Sequence, residues 1–65
     1  MLNNWRAKAV GESFINGIQH KDIAKKAGYN PRYLSAILNG KRDPKDAETR
    51  IMSAIDEIIR EKNAR

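Results

Sequence analysis

Apolar residues recur at helical intervals along the chain, and glycines and prolines divide them into four segments. The first, from about Asn4 to Asn16, carries Trp5, Ala9 or Val10, and Phe14 at roughly helical spacing, with Asn3 or Asn4 as a cap. Gly11 interrupts it at a cost of about 1 kcal/mol against alanine, and Gly17 is a stop signal. The second, from about Gln19 to Ala27, turns Ile23, Ala24 and Ala27 inward behind Ile18 and leaves Lys21, Lys25 and Lys26 outside. Gly28 then suits the left-handed residue that ends a helix. The third opens on Asn30-Pro31, where asparagine caps free N–H groups and proline presets φ at a position that needs no donor. Leu34, Ile37 and Leu38 make its inner stripe, Arg32, Tyr33 and Ala36 lie on other faces, and Asn39-Gly40 ends it.

Beyond the polar linker Lys41-Arg42-Asp43-Pro44, a fourth helix is predicted from about Lys45 or Asp46 to Lys62. Asp46 and Glu48 in its first turn and Arg60 and Lys62 in its last all favour the helix dipole. No period-two alternation, internal repeat or low-complexity tract is present. The expectation is an all-α fold, a small four-helix domain with five helices as the alternative count, spanning residues 1–65 as one unit.

At 65 residues the chain has a thin core. Domains of this size commonly need disulfides, a metal or a partner, yet there is no Cys, and one His (His20) cannot build a zinc site. No metal, cofactor or small-molecule ligand is expected. No apolar run approaches the ~18 residues of a membrane span or forms the apolar region of a signal peptide, so the expected location is the cytoplasm, without membrane contact.

The formal charge of +5 is unevenly placed. Residues 1–45 hold nine basic and three acidic side chains, whereas residues 46–65 hold four and five. A cationic portion joined to a balanced scaffold fits a polyanion, nucleic acid before membrane; the alternative is a solvated face that serves solubility.

Two helices of about eight residues around Gly28-Tyr29-Asn30 have the length and punctuation of a helix–turn–helix, and Ala24 is small enough for their close approach. Ile18, Gln19-His20, Ile23-Ala24, Gly28, Leu34-Ser35, Ile37 and Gly40-Lys41-Arg42-Asp43-Pro44 extend the pattern. The 27 residues from Ile18 to Pro44 resemble the lambda repressor/Cro-like helix–turn–helix family, also called XRE, with the motif at about 19–39. Gln19-His20 stands where the family commonly has Thr-Gln, and one long C-terminal helix replaces its usual two short ones.

The resemblance implies that the third helix enters the major groove of double-stranded DNA and presents Asn30, Arg32, Tyr33, Ser35 and Ala36 to base edges. Arg32 has the fork that holds guanine O6 and N7 together, its alternative role being a phosphate clamp. Tyr33 would touch a base or phosphate, or pack at the domain edge; Ala36 would meet a thymine methyl, and Pro31 starts the helix. Asn39, Lys41 and Arg42 would face the phosphates, with His20 and Lys21 at a helix N-terminus and Tyr29 in the turn. Lys25 and Lys26 would be a phosphate-facing or a solvated pair.

On the last helix, Ile51, Ala54, Ile55 and Ile58 form a stripe that can pack on the motif, with Met52 and Ile59 beside it. Either these residues serve one thin core, Trp5 included, or Met52, Ile55 and Ile59 form the seam of a homodimer on DNA. The function implied by the resemblance is a sequence-specific transcriptional regulator of bacterial or phage type, repressor- or Cro-like, acting by operator occupancy. The alternative is a protein-interaction module, an antirepressor or antitoxin on the same fold. Catalysis is not expected, because no nucleophile motif or Gly-rich phosphate loop is present and capping explains Asp43, Asp46 and Glu48.

Overall fold

The computed structural model describes residues 5–64 and contains four helices there: α1 (Trp5–Ile15), α2 (His20–Ala27), α3 (Pro31–Leu38) and α4 (Ala47–Asn63). The expected cap at Asn3 or Asn4 lies outside the described residues. The other predicted boundaries agree within one or two residues, and α4 runs unbroken for 17 residues, so the helix count among the described residues is four.

Each helix contributes one face to a common core. Ile23, Leu34, Ile37, Ile51 and Ile55 are its largest fully buried side chains, with the small Ala24 and Ala47 buried beside them. The long helix α4 packs on both α1 and α2, while α3 docks on α2. This is how a short chain makes a core without a disulfide: one helix of 17 residues serves as the floor for two others.

Two sequence expectations fail here, each for a geometric reason. Phe14 does not join the core; it is 87% exposed. Nine residues separate it from Trp5, about two and a half helical turns, which puts the two on opposite sides of α1. The buried face of α1 is instead Trp5, Ala9 and Ser13, spaced by four. Ser13 tolerates burial because its hydroxyl donates to the Ala9 carbonyl at 2.8 Å.

The second failure is Ile55. It is fully buried within the chain, at the centre of the α4 face that meets α2 and α1, so it has no surface to give a dimer seam. Met52 and Ile59 are half-buried against the same core.

Candidate nucleic-acid interface

The turn between α2 and α3 depends on backbone geometry that few residues allow. Gly28 adopts φ 83°, a left-handed conformation, and its N–H and that of Tyr29 both donate to the Ala24 carbonyl at 2.8 Å. Arg50 of α4 reaches this turn from below and donates to the Ala27 carbonyl at 2.8 Å. A Cβ on Gly28 would stand 3.0 Å from that same guanidinium. The guanidinium also lies 4.7 Å from the centre of the Tyr29 ring. Tyr29 in turn meets Tyr33, with ring centroids 5.6 Å apart and planes inclined by 55°. A continuous stack therefore runs from the scaffold helix, through the turn, to an exposed residue of α3.

Helix α3 begins as its first two residues predict. The Asn30 side chain accepts from the Arg32 N–H at 2.8 Å, with Pro31 at the first helical position. Capping occupies the side-chain oxygen of Asn30, leaving its NH2 group to donate outward. Leu34 and Ile37 are buried, which fixes the rotation of α3 and sends Arg32 and Tyr33 into solvent. Ser35 and Ala36 are half-buried.

The end of α3 is equally specified. Gly40 has φ 81°, and the Lys41 and Arg42 N–H groups both return to the Ala36 carbonyl, at 2.8 and 3.2 Å. Arg6 of α1 then closes the segment: its Nε donates to the Ile37 carbonyl at 2.6 Å, and its Nη2 to the Arg42 carbonyl at 3.3 Å and to Asp43 Oδ1 at 3.0 Å. With the backbone held this way, Asn39, Lys41 and Arg42 stand exposed immediately after α3.

His20 and Lys21 are exposed in the first turn of α2. Gln19 forms its cap from extended backbone, and its carbonyl accepts from the Asp22 and Ile23 N–H groups at 3.0 and 3.3 Å. The Asp22 carboxylate accepts from the Gln19 N–H at 3.4 Å, so one acid already balances the dipole where these two cations sit.

Two expectations about basic and polar side chains are corrected. The Tyr29 hydroxyl is buried without a hydrogen-bond partner, so it offers nothing to a phosphate; stacking between Arg50 and Tyr33 turns the ring inward. Lys26 is not a free solvated cation, because its Nζ binds Glu61 Oε2 at 2.5 Å, tying α2 to α4. That hydrogen bond, reinforced by the charges of Glu61 and Glu57, pushes the Lys26 ammonium above its ordinary 10.5. Lys25 stays exposed. Arg6 and Arg50 are the residues that sequence reasoning missed. Their partners lie 23 to 37 residues away, and no local spacing announces such contacts.

The exposed side of α3, flanked by His20-Lys21 and Lys41-Arg42, is thus a cationic surface on a braced helix–turn–helix. A family model described as Helix-turn-helix, of the lambda repressor/Cro-like kind, matches residues 16–54, more than half of the chain. The chain belongs to the XRE-type helix–turn–helix family. No curated protein and no solved structure matches it. Members of this family are DNA-binding regulators, and the match makes this protein a DNA-binding helix–turn–helix regulator of the XRE type. The matched span runs from Asn16 through Ala54, so it takes in Arg50 but leaves out all of α1, Arg6 included. Among the described residues, no cluster of His, Cys, Asp or Glu could hold a metal ion, and no helix is long and apolar enough to cross a membrane.

Proposed function

We propose that this XRE-type regulator binds a specific double-stranded operator and controls transcription by occupying it, in the manner of a Cro or repressor of bacterial or phage type. The observation that carries the reading is the exposed cationic face of α3 and its flanks, held by Arg6 and Arg50 through backbone carbonyls. Preorganisation matters because every loop ordered before binding is an entropic cost that binding does not incur.

In this reading Arg32 enters the major groove and donates its two parallel N–H groups to guanine O6 and N7. Tyr33 stands beside it, its ring supported by Tyr29, and Ala36 and Ser35 contact the base edges further along the helix. Asn30 contributes through its free NH2 group. Lys41, Arg42 and Asn39 clamp the phosphates at one end of α3, and His20 and Lys21 do so from α2. Two such chains on a palindrome would read half-sites about one helical turn apart. The competing protein-interaction reading needs an apolar handle at Met52 and Ile59, and their partial burial leaves little surface there.

A salt titration of binding to duplex DNA tests the proposal. With three to five phosphates neutralised per chain, log K should fall with log salt at a slope of about −3 to −5. Absence of measurable binding to any duplex pool at low salt would defeat it.

A further inference from the structure

The outer face of α1 carries an apolar surface that the DNA-binding reading does not use. Phe14 is 87%, Ile15 82% and Val10 41% exposed, an unusual concentration of uncovered large side chains on one helix. Ala7, Val10, Gly11 and Phe14 fall on one stripe, opposite the buried Trp5, Ala9 and Ser13. The charged residues of α1 are off it. Arg6 is turned to the end of α3, and Lys8 and Glu12 line the groove shared with Met52, Ser53 and Asp56 of α4.

Gly11 supplies an independent observation. A glycine inside a helix costs about 1 kcal/mol against alanine, and close approach of a neighbour is the usual justification. Here a Cβ at Gly11 would meet nothing within 4 Å, so nothing in the chain itself requires a glycine. A second helix laid over the stripe would.

We propose that the α1 face is a self-association surface, occupied by α1 of a second copy in antiparallel, two-fold arrangement. The stripe is complementary to itself. With a two-fold axis between Val10 and Gly11, Phe14 of each copy lies over Ala7 of the other, and Val10 lies over Gly11. One face thus supplies both the projecting residues and the small ones that receive them, as an isologous interface demands. The absence of charge on the stripe matters in a chain of net charge +5, because two copies can meet there without opposing cations.

The area sets the strength. Each face offers roughly 300–400 Å² of apolar surface. The pair therefore buries about 600–800 Å² at its centre, short of the ~1,200–2,000 Å² of stable free-standing complexes. The structure thus assigns a weak, concentration-dependent dimer rather than a stable one.

Sedimentation equilibrium of the full chain without DNA tests this, from about 10 μM to about 1 mM. The weight-average mass should rise from 7.4 kDa toward twice that value. Phe14→Ser should weaken association about tenfold or more. Gly11→Lys is the sharper variant: it has room for its side chain in the monomer and a better helix propensity, so it should fold at least as well while remaining monomeric. Met52→Ser, on α4, should associate like the parent chain. A parent chain that stays at 7.4 kDa throughout overturns the proposal. So does association that survives Gly11→Lys, or that Met52→Ser abolishes instead. DNA affinity of the monomer does not enter the readout, so failure here is distinct from failure of the operator reading.

Discussion

Replacing Arg50 with methionine keeps much of the aliphatic stem and removes the guanidinium, which isolates what that group does for the helix–turn–helix. Three contacts are lost. The hydrogen bond to the Ala27 carbonyl at 2.8 Å has a charged donor, a type that contributes about 1.5–3 kcal/mol when shielded. Because the Arg50 side chain is 44% exposed, water can replace part of it, and about 1 kcal/mol is the appropriate figure. The cation–π contact with Tyr29 adds about 0.5 kcal/mol. The ion pair with Asp46, at 3.8 Å between two exposed side chains, adds close to nothing. The expected loss is about 1.5 kcal/mol, or roughly 6–12 °C in Tm for a domain this small. Urea unfolding followed by circular dichroism measures it, and the same substitution in a Tyr29→Leu background should cost about 0.5 kcal/mol less. A loss below about 0.3 kcal/mol, or strict additivity with Tyr29→Leu, would refute the idea that α4 braces the turn through this stack.

Ile55→Ala should cost about 2–5 kcal/mol and leave the domain largely unfolded at 25 °C in a thermal scan, as a core position does and a seam position does not. In binding titrations, Arg32→Ala should cost about 1–3 kcal/mol at the cognate site and relax preference at one base pair, whereas Lys41→Ala should weaken all duplexes alike and reduce the salt slope by about one. The Lys26–Glu61 contact predicts an alkaline limb. The folded ammonium is raised above its ordinary 10.5, so its contribution is fully present below that value and is lost as pH rises through the higher folded value. Stability measured across pH 9–12 should fall less steeply in Glu61→Gln, which has no such contribution to lose.

Much of this fold is legible because its punctuation is local. Asn30-Pro31 starts α3 by the mechanism those two residue types carry, and Gly28 adopts the left-handed backbone that its position after Ala27 requires. The inner stripes of α2, α3 and α4 follow from spacing alone. On α1 the apolar interval drifts: a step of five followed by a step of four carries a stripe halfway round a helix, from Trp5 to Phe14. Ile55 departs from the expectation for a different reason. Spacing shows that Ile51, Met52, Ile55 and Ile59 lie near one another on α4, but not which of them the neighbouring helices cover.

The candidate site divides in the same way. Exposed residues on α3 follow from its buried stripe, so Arg32 and Tyr33 are found wherever Leu34 and Ile37 are found. The supports of the site do not follow. Arg6 and Arg50 act across gaps of 23 to 36 residues on backbone carbonyls, which any sequence supplies. For Tyr29 the hydroxyl suggests a polar contact, whereas the ring decides its position. An aromatic between a guanidinium and a second aromatic is held by its faces, and its hydroxyl ends up buried.

The central claim is that α3 reads a defined sequence through Arg32 while the flanking cations set affinity. Selection of binding sites from a random duplex pool, run with the parent chain and with Arg32→Ala, tests it most directly. The parent chain should enrich a consensus containing a guanine at one position, and Arg32→Ala should enrich the same consensus with that position alone degenerate. Enrichment of no consensus by the parent chain, or an identical consensus from both proteins, would contradict it.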